Sequence, residues 1–269
     1  MKSWRLTWAV NQILDARSFS KHRDALQSPH LFWLALAVNL VPNLWRSPIL
    51  LRLRNGGAFY VNEFMTLFIY KEIFVDGCYD SPHLPNNEPV IIDVGANTGL
   101  FAIRMKQTYP RATLFCYEPM PSNYRQLEDN LRASEIHDCT AFQEGVGGGA
   151  RVEKLFIHSR NVGGHSIYPN IASSDKSIEI HLIDVPAVLD RLHGKDCNLL
   201  KLDCEGAEYE IIKSLGKETA LRIERIIFEP TPAVYNIDEL KSHLNNIGYQ
   251  VQWNDGIFIA LRRDLLGQA

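Results

Sequence analysis

From about residue 89 onward, short apolar runs alternate with stretches of helical periodicity. No other feature constrains the fold as much, because such βαβ units require a mostly parallel sheet with helices on its faces. Val90-Ile91-Ile92-Asp93-Val94 reads as a buried strand, 100–109 as a helix stopped by Pro110, 112–118 as a second strand, and 121–133 as a helix with proline in its first turn. A third strand is expected over 140–146, running into the turn Gly147-Gly148-Gly149. Residues 152–158 and 178–183 alternate as strands, and the polar segment 159–177 between them reads as a surface loop suited to a lid or an acceptor-binding element. Helices are expected over 185–192, 207–215 and 237–246, and strands over 198–203 and 223–229. The final runs, 249–253 and 257–262, flank Asn254-Asp255-Gly256, a turn that joins antiparallel strands.

The expectation is an α/β fold with a mostly parallel sheet. Its C-terminal hairpin supplies an antiparallel edge strand, and a helical N-terminal segment precedes it. Ser, Pro and Asn cluster between Asp80 and Glu88, which divides a helical cap or arm over 1–80 from the α/β domain over 81–269.

Composition narrows the class only a little. With 46% hydrophobic and 22% charged residues the chain can bury a core. The net charge of −3 conceals an asymmetry: residues 1–55 carry eight Lys or Arg (Lys2, Arg5, Arg17, Lys21, Arg23, Arg46, Arg52, Arg54) against Asp15 and Asp24, a local +6 that leaves −9 for the rest. Such an arm suits peripheral contact with an anionic membrane or a polyanionic substrate, and equally a solvated helix face. The five cysteines are odd in number and lack a Cys-x-x-Cys pair, and no zinc-ligand spacing appears, so the expectation is a reduced, cytoplasmic protein with no assigned metal. No signal-peptide progression opens the chain. The apolar stretch 31–45 falls short of the ~20 residues that span a bilayer and is interrupted by Asn39 and Pro42.

The chemistry concentrates at strand ends. Asp93, Gly95, Asn97, Thr98 and Gly99 follow one strand and open a helix, where an open α/β sheet binds its ligand through unpaired backbone amides. A dinucleotide site would show Gly-x-Gly-x-x-Gly here; the chain has Asp-x-Gly-x-x-x-Gly, which disfavours NAD and FAD. Glu118 ends the next strand, where a carboxylate can hold both hydroxyls of a ribose. Asp203 ends another strand facing the expected cleft, although Asp203 and Glu205 are also placed to cap the following helix. Glu229 ends the strand after it, and His165 lies in the polar loop within Gly163-Gly164-His165-Ser166.

These blocks together resemble the FkbM-type methyltransferases, a class I group that depends on S-adenosylmethionine. The resemblance rests on Ile92-Asp93-Val94-Gly95-Ala96-Asn97-Thr98-Gly99, Tyr117-Glu118-Pro119, Leu200-Lys201-Leu202-Asp203-Cys204-Glu205-Gly206-Ala207-Glu208 and Ile227-Phe228-Glu229. It implies a Rossmann-like α/β fold with a seven-stranded, mostly parallel sheet, with Asp93, Gly95, Asn97 and Thr98 at the methionine end of S-adenosyl-L-methionine and Glu118 on its ribose. Gln143 and Glu144 stand where this fold meets the adenine, or are simply solvated. His165 departs from the Gly-Gly-Ser-Ser-Leu usual in similar proteins.

Methyl transfer to a hydroxyl needs in-line positioning and a base, and the candidates are Asp203, His165 and Glu229. The acceptor implied is a hydroxyl of a sugar, glycan, lipid-linked or small natural product. Three rivals remain: a non-catalytic protein that binds S-adenosylmethionine, a nicotinamide-dependent oxidoreductase, and a nucleic-acid methyltransferase. The last is disfavoured by the absent Asn/Asp-Pro-Pro-Tyr/Phe sequence and by the acidic main domain, so no nucleic acid is expected as partner.

Overall fold

The computed structural model describes Thr7 and residues 16–40, 47–80, 83–158 and 163–266. Seven strands form the main sheet: β3 (Val90–Val94), β4 (Thr113–Tyr117), β5 (Cys139–Phe142), β9 (Leu199–Leu202), β10 (Arg225–Phe228), β11 (Tyr249–Asn254) and β12 (Ile257–Arg262). Their spatial order is β11-β12-β10-β9-β3-β4-β5. The four inner pairings from β10 to β5 are parallel, whereas β12 runs antiparallel to both β10 and β11. The C-terminal hairpin therefore completes one edge as expected; the reversed strand is β12, one place in, and β11 forms the rim.

Strand residues alternate between two cores because successive side chains point to opposite faces. Ile91, Leu199 and Ile227 belong to one, packed by α4 (Leu100–Thr108) and α5 (Pro121–Ala133). Val90, Ile92, Val94, Leu200 and Leu202 belong to the other, packed by α7 (Val185–Asp190), α8 (Glu208–Ser214), α9 (Lys217–Leu221) and α10 (Ile237–Asn246). Burial on both faces is why these strands read as unbroken apolar runs.

The segment before residue 80 packs on the α4 and α5 side and shares that core. It contains the expected helices, α1 (Ala16–Ala25), α2 (Pro29–Leu40) and α3 (Phe64–Tyr70), the last continuing into a wide π turn over Lys71–Asp76. It also contains a hairpin that departs from the helical expectation, β1 (Ile49–Arg52) paired antiparallel with β2 (Ala58–Val61). The outer backbone of β2 is satisfied by side chains of α5: Asn130 Oδ1 accepts from Tyr60 N at 2.8 Å, Gln126 Nε2 donates to Tyr60 O at 2.8 Å, and Ser134 Oγ bonds Ala58 N and O at 3.0 and 2.7 Å. Asn130 Nδ2 also donates to Thr98 O at 2.7 Å, which ties the hairpin to the loop after β3.

The third strand is shorter than expected. The chain bends at Gln143, and Gly145–Val146 form β6 of a separate three-stranded sheet with β7 (Arg151–Phe156) and β8 (Ser177–Ile183). Leu182 packs so closely there that a Cβ on Gly145 would lie 2.4 Å from its Cδ2. The loop expected over 159–177 includes a short helix, α6 (Pro169–Ala172). Its residues 159–162, Lys2, Arg5 and Arg46 of the basic arm, and 41–46 of the early apolar stretch lie outside the described residues. Among the described residues no helix is long and apolar enough to cross a membrane.

Candidate active site

A cleft of about 360 Å³ opens at the carboxyl ends of β3, β4, β9 and β10, the place where an open α/β sheet binds ligands. Gly95, Asn97, Thr98, Glu118, His165, Asp203 and Glu229 line it together, so the structure gathers most of the residues singled out from sequence. Asp93, Gly99, Gln143 and Glu144 do not line it.

The two glycines make room for protein rather than for ligand. Gly95 has φ +75°, and a Cβ on it would fall 1.8 Å from the backbone oxygen of Asp203. The loops after β3 and β9 thus meet at a distance only glycine allows. At Gly99, with φ +82°, a Cβ would lie 2.4 Å from Leu127 Cδ1. Between them, Asn97 takes a left-handed φ of 49°. Glu118 holds this turn: its Oε2 accepts from Asn97 N and its Oε1 from Met120 N, both at 2.8 Å. Burial pushes its carboxyl up to about 7 although both amides pull the other way. Each oxygen keeps a further lone pair, and Glu118 still borders the cleft. Asn97 Oδ1 and Thr98 Oγ1 are buried without a protein hydrogen bond, a cost that a polar ligand would remove.

Asp93 sits behind this wall. It is 0% exposed and meets Lys201 Nζ at 2.9 Å. The two are direct neighbours in the β3–β9 register and point to the same face. Lys201 continues to Asp203 Oδ2 at 3.4 Å, and its ammonium lies 5.5 and 5.3 Å from the ring centroids of Tyr79 and Phe101. Burial alone would lower the Lys201 pKa, but Asp93 and Asp203 raise it, so the ammonium stays charged. Tyr79 donates its hydroxyl to Asp203 Oδ2 at 3.2 Å; burial and Asp203 both push that hydroxyl up, which keeps its proton in place. Asp93 is therefore a buried counter-ion whose Oδ2 has no hydrogen-bond partner in the protein, and Asp203 is the carboxylate that reaches the cleft.

Four carboxyls converge at this end, namely Asp203, Glu205, Glu229 and Glu72 of the π turn. Glu72 and Glu229 are open to the cleft, yet the protein packed round them and the facing Asp203 push them up to about 7 and about 8. Burial and the same neighbour push Glu205 to about 7. The helix-capping alternative for Asp203 and Glu205 gives way to Glu208, which is 1% exposed and accepts from Cys204 N at 2.6 Å and Gly206 N at 2.8 Å. With that turn capped, Asp203 and Glu205 are left facing the cleft.

His165 lines the cleft, but its Nδ1 accepts from His158 N at 3.1 Å. Its ring proton then resides on Nε2, which leaves that nitrogen as a donor. Burial lowers its pKa to about 4, and an imidazole so weakly basic and so engaged makes a poor general base. Gln143 is exposed to solvent, and Glu144 bonds Arg191 at 2.6 Å, whose guanidinium lies 4.4 Å from the Phe142 ring centroid. Among the described residues no group of three or more His, Cys, Asp or Glu side chains could hold a metal ion.

Sequence reasoning missed Lys201, Tyr79 and Glu72. Lys201 had a signal, because a lysine at the centre of Leu199-Leu200-Lys201-Leu202 occupies a buried strand position and so needs a partner. Tyr79 and Glu72 come from the N-terminal segment, more than 120 residues from Asp203 along the chain.

Fold and cleft together define a class I, Rossmann-like methyltransferase architecture. The family model of the methyltransferase FkbM domain matches residues 93–251, and the chain belongs to this methyltransferase family. Methyltransferase 1 of Beauveria bassiana is 29% identical over 68% of this chain and 81% of its own length. The 31-O-demethyl-FK506 methyltransferase FkbM of Streptomyces tacrolimicus is 26% identical over 75% of this chain and 88% of its own. The 2-O-methyltransferase NoeI of Sinorhizobium fredii is 26% identical over 54% and 65%.

Proposed function

We propose that this methyltransferase moves the methyl group of S-adenosylmethionine to a hydroxyl acceptor. The observation that carries the cofactor is the set of unused acceptors at one end of the cleft: Asn97 Oδ1, Thr98 Oγ1 and the free lone pairs of Glu118. Glu118 suits a ribose diol, Asn97 Oδ1 suits the ammonium of an amino-acid moiety, and the Thr98 hydroxyl suits its ammonium or its carboxylate. When bound, S-adenosylmethionine supplies an electrophilic methyl on a sulfonium. The names of two relatives, a 31-O-demethyl-FK506 methyltransferase and a 2-O-methyltransferase, support oxygen as the acceptor atom.

The residues at the other end would handle the proton. Asp203 Oδ2 is held by Tyr79 and Lys201. That anchoring fixes the direction of Oδ1 beside the acceptor and leaves the single proton of the reacting hydroxyl to Glu229. Glu229, pushed up to about 8, has the basicity to take the proton as the C–O bond forms, since a general base works best with a pKa near the working pH. Burial of His165 keeps it neutral at that pH, so it serves as a hydrogen-bond donor.

Calorimetric titration with S-adenosylhomocysteine, with NAD as control, tests this reading. The homocysteine product should bind and NAD should not. Glu118→Ala should weaken the interaction by roughly 10- to 100-fold, the loss of charge-assisted hydrogen bonds. Binding of NAD in its place, or no binding of S-adenosylhomocysteine, sinks the proposal.

A further inference from the structure

A surface helix ordinarily turns polar side chains away from the core. Helix α3 does not. Phe64, Leu67 and Tyr70 form its inward face and are 2%, 0% and 0% exposed. The opposite stripe is Met65, Phe68 and Ile69, at positions i, i+3 and i+4; all three line the cleft, and Phe68 and Ile69 remain half-buried there. One turn further on, the same stripe reaches Glu72, which also lines the cleft and faces Asp203 electrostatically. An apolar track thus starts at the carboxylate cluster and leads away from it for about 10 Å, the helical rise over seven residues.

Other walls of the cleft come from other elements: Glu118, Pro119, Gly145 and Val146 follow β4 and β5, and Leu155 and Leu182 belong to the small sheet. A bare sugar laid along Met65, Phe68 and Ile69 would bury hydroxyls against side chains that offer no hydrogen bonds. Hydrocarbon laid there would lose only its water.

We infer that the acceptor bears a hydrocarbon portion next to the hydroxyl that is methylated, and that Phe68 and Ile69 determine this specificity. The inference rests on reading the Asp203 end of the cleft as the acceptor end. The shared chemistry is apolar bulk beside a hydroxyl, whether an extended chain or a compact ring.

The test is calorimetry of butyl, hexyl and octyl glucoside, cyclohexyl glucoside and free glucose, each below micelle-forming concentration. Every titration is done on the protein alone and on the protein saturated with S-adenosylhomocysteine. Affinity should rise about two- to fourfold per methylene along the series, and glucose should be the weakest. Tighter binding of the cyclohexyl compound than of hexyl would assign a compact group, and the reverse an extended one. Phe68→Asp and, independently, Ile69→Asp should remove the chain-length dependence while S-adenosylhomocysteine binds within about twofold of wild type, the melting midpoint confirming that each variant folds. A flat series, no binding of any glucoside, or variants that weaken S-adenosylhomocysteine instead would overturn the inference; the last result would give the stripe to the cofactor. Failure of S-adenosylhomocysteine to bind the wild type, with the glucoside series intact on the protein alone, would overturn the proposed cofactor and leave this inference standing.

Discussion

The two ends of the cleft are built on opposite plans. At the Glu118 end the backbone does the work: Gly95 touches Asp203 O, Asn97 holds a left-handed turn, and Glu118 is pinned by two amides. At the Asp203 end the work falls to side chains brought from distant elements, with Tyr79 and Glu72 from the N-terminal segment and Lys201 from the central sheet. A turn made by neighbours in sequence is specified locally, so it leaves a motif. A cluster assembled across the fold is specified by packing and leaves none.

The sharpest way to break this contrast is the buried pair that joins the two ends. Asp93→Asn leaves the Lys201 ammonium, 3% exposed, with Asp203 as its remaining carboxylate. Denaturant unfolding should show a loss of about 3–5 kcal/mol. The double variant Asp93→Leu with Lys201→Met should regain most of that, because removing both charges removes the uncompensated one. A double variant no more stable than the single would mean the pair is not what holds β3 to β9.

Next in size is the Asp203 end. Glu229→Gln should lower kcat by about 10²- to 10⁴-fold and leave S-adenosylhomocysteine affinity within about twofold. In the wild type, kcat/KM should climb as pH rises through about 8, where Glu229 ionises. That limb should vanish in the variant. Persistence of the limb would move the base elsewhere in the carboxylate cluster.

At the other end, Thr98→Val exchanges a buried hydroxyl that has no protein partner for a methyl. The two measured effects should have opposite signs. The unliganded protein should hold or gain stability, because a buried unsatisfied polar group disappears, while S-adenosylhomocysteine should bind about fivefold to tenfold more weakly. Loss of stability without loss of affinity would mean that the hydroxyl serves the fold.

The difference in legibility follows from the same contrast. The apolar run Val90 to Val94 and the turn after it placed the strand and the Gly95–Thr98 loop, because burial on both faces and a tight turn each write themselves into adjacent residues. The Lys201 partner of Asp93 was not legible, because the sequence shows a carboxylate at a strand end without showing which way it points; Lys201 lies 108 residues away. The β1–β2 hairpin had a signal in Asn55-Gly56-Gly57, a turn sequence between two short apolar runs. Nothing local marked Glu72 as a cleft residue, since its carboxyl becomes one only when α3 docks beside α4.

A smaller effect tests the carboxylates through stability. Glu118, Glu205 and Glu72 are pushed up to about 7 and Glu229 to about 8. The folded state therefore holds their protons more tightly than the unfolded chain, and the stability this gives is complete below pH ~4.5 and lost as pH rises to about 8. Burial lowers His22 and His165 to about 4; these groups work in the opposite sense, but only between pH ~4 and ~6.5. Above 6.5 the acids act alone, so the melting midpoint should fall from pH 6.5 to 8, and Glu229→Gln should flatten that fall. An unchanged slope in the variant would mean that Glu229 ionises normally.

The smallest expected effect is also informative. The adenine assignment of Gln143 and Glu144 rested on their position after a strand, but the bend at Gln143 turns the chain out of the main sheet before the cleft is reached. Gln143→Ala should leave S-adenosylhomocysteine affinity within about twofold, since surface substitutions away from a site rarely exceed ~0.5 kcal/mol. Glu144→Gln should cost the fold no more than about 1 kcal/mol, the worth of a half-exposed ion pair with Arg191, and should not affect binding. If either variant weakened binding tenfold, the Glu118 end would have to reach past Pro119 to the bend. The cofactor would then be held by long-range placement as well as by a local turn, and the contrast between the two ends would fail.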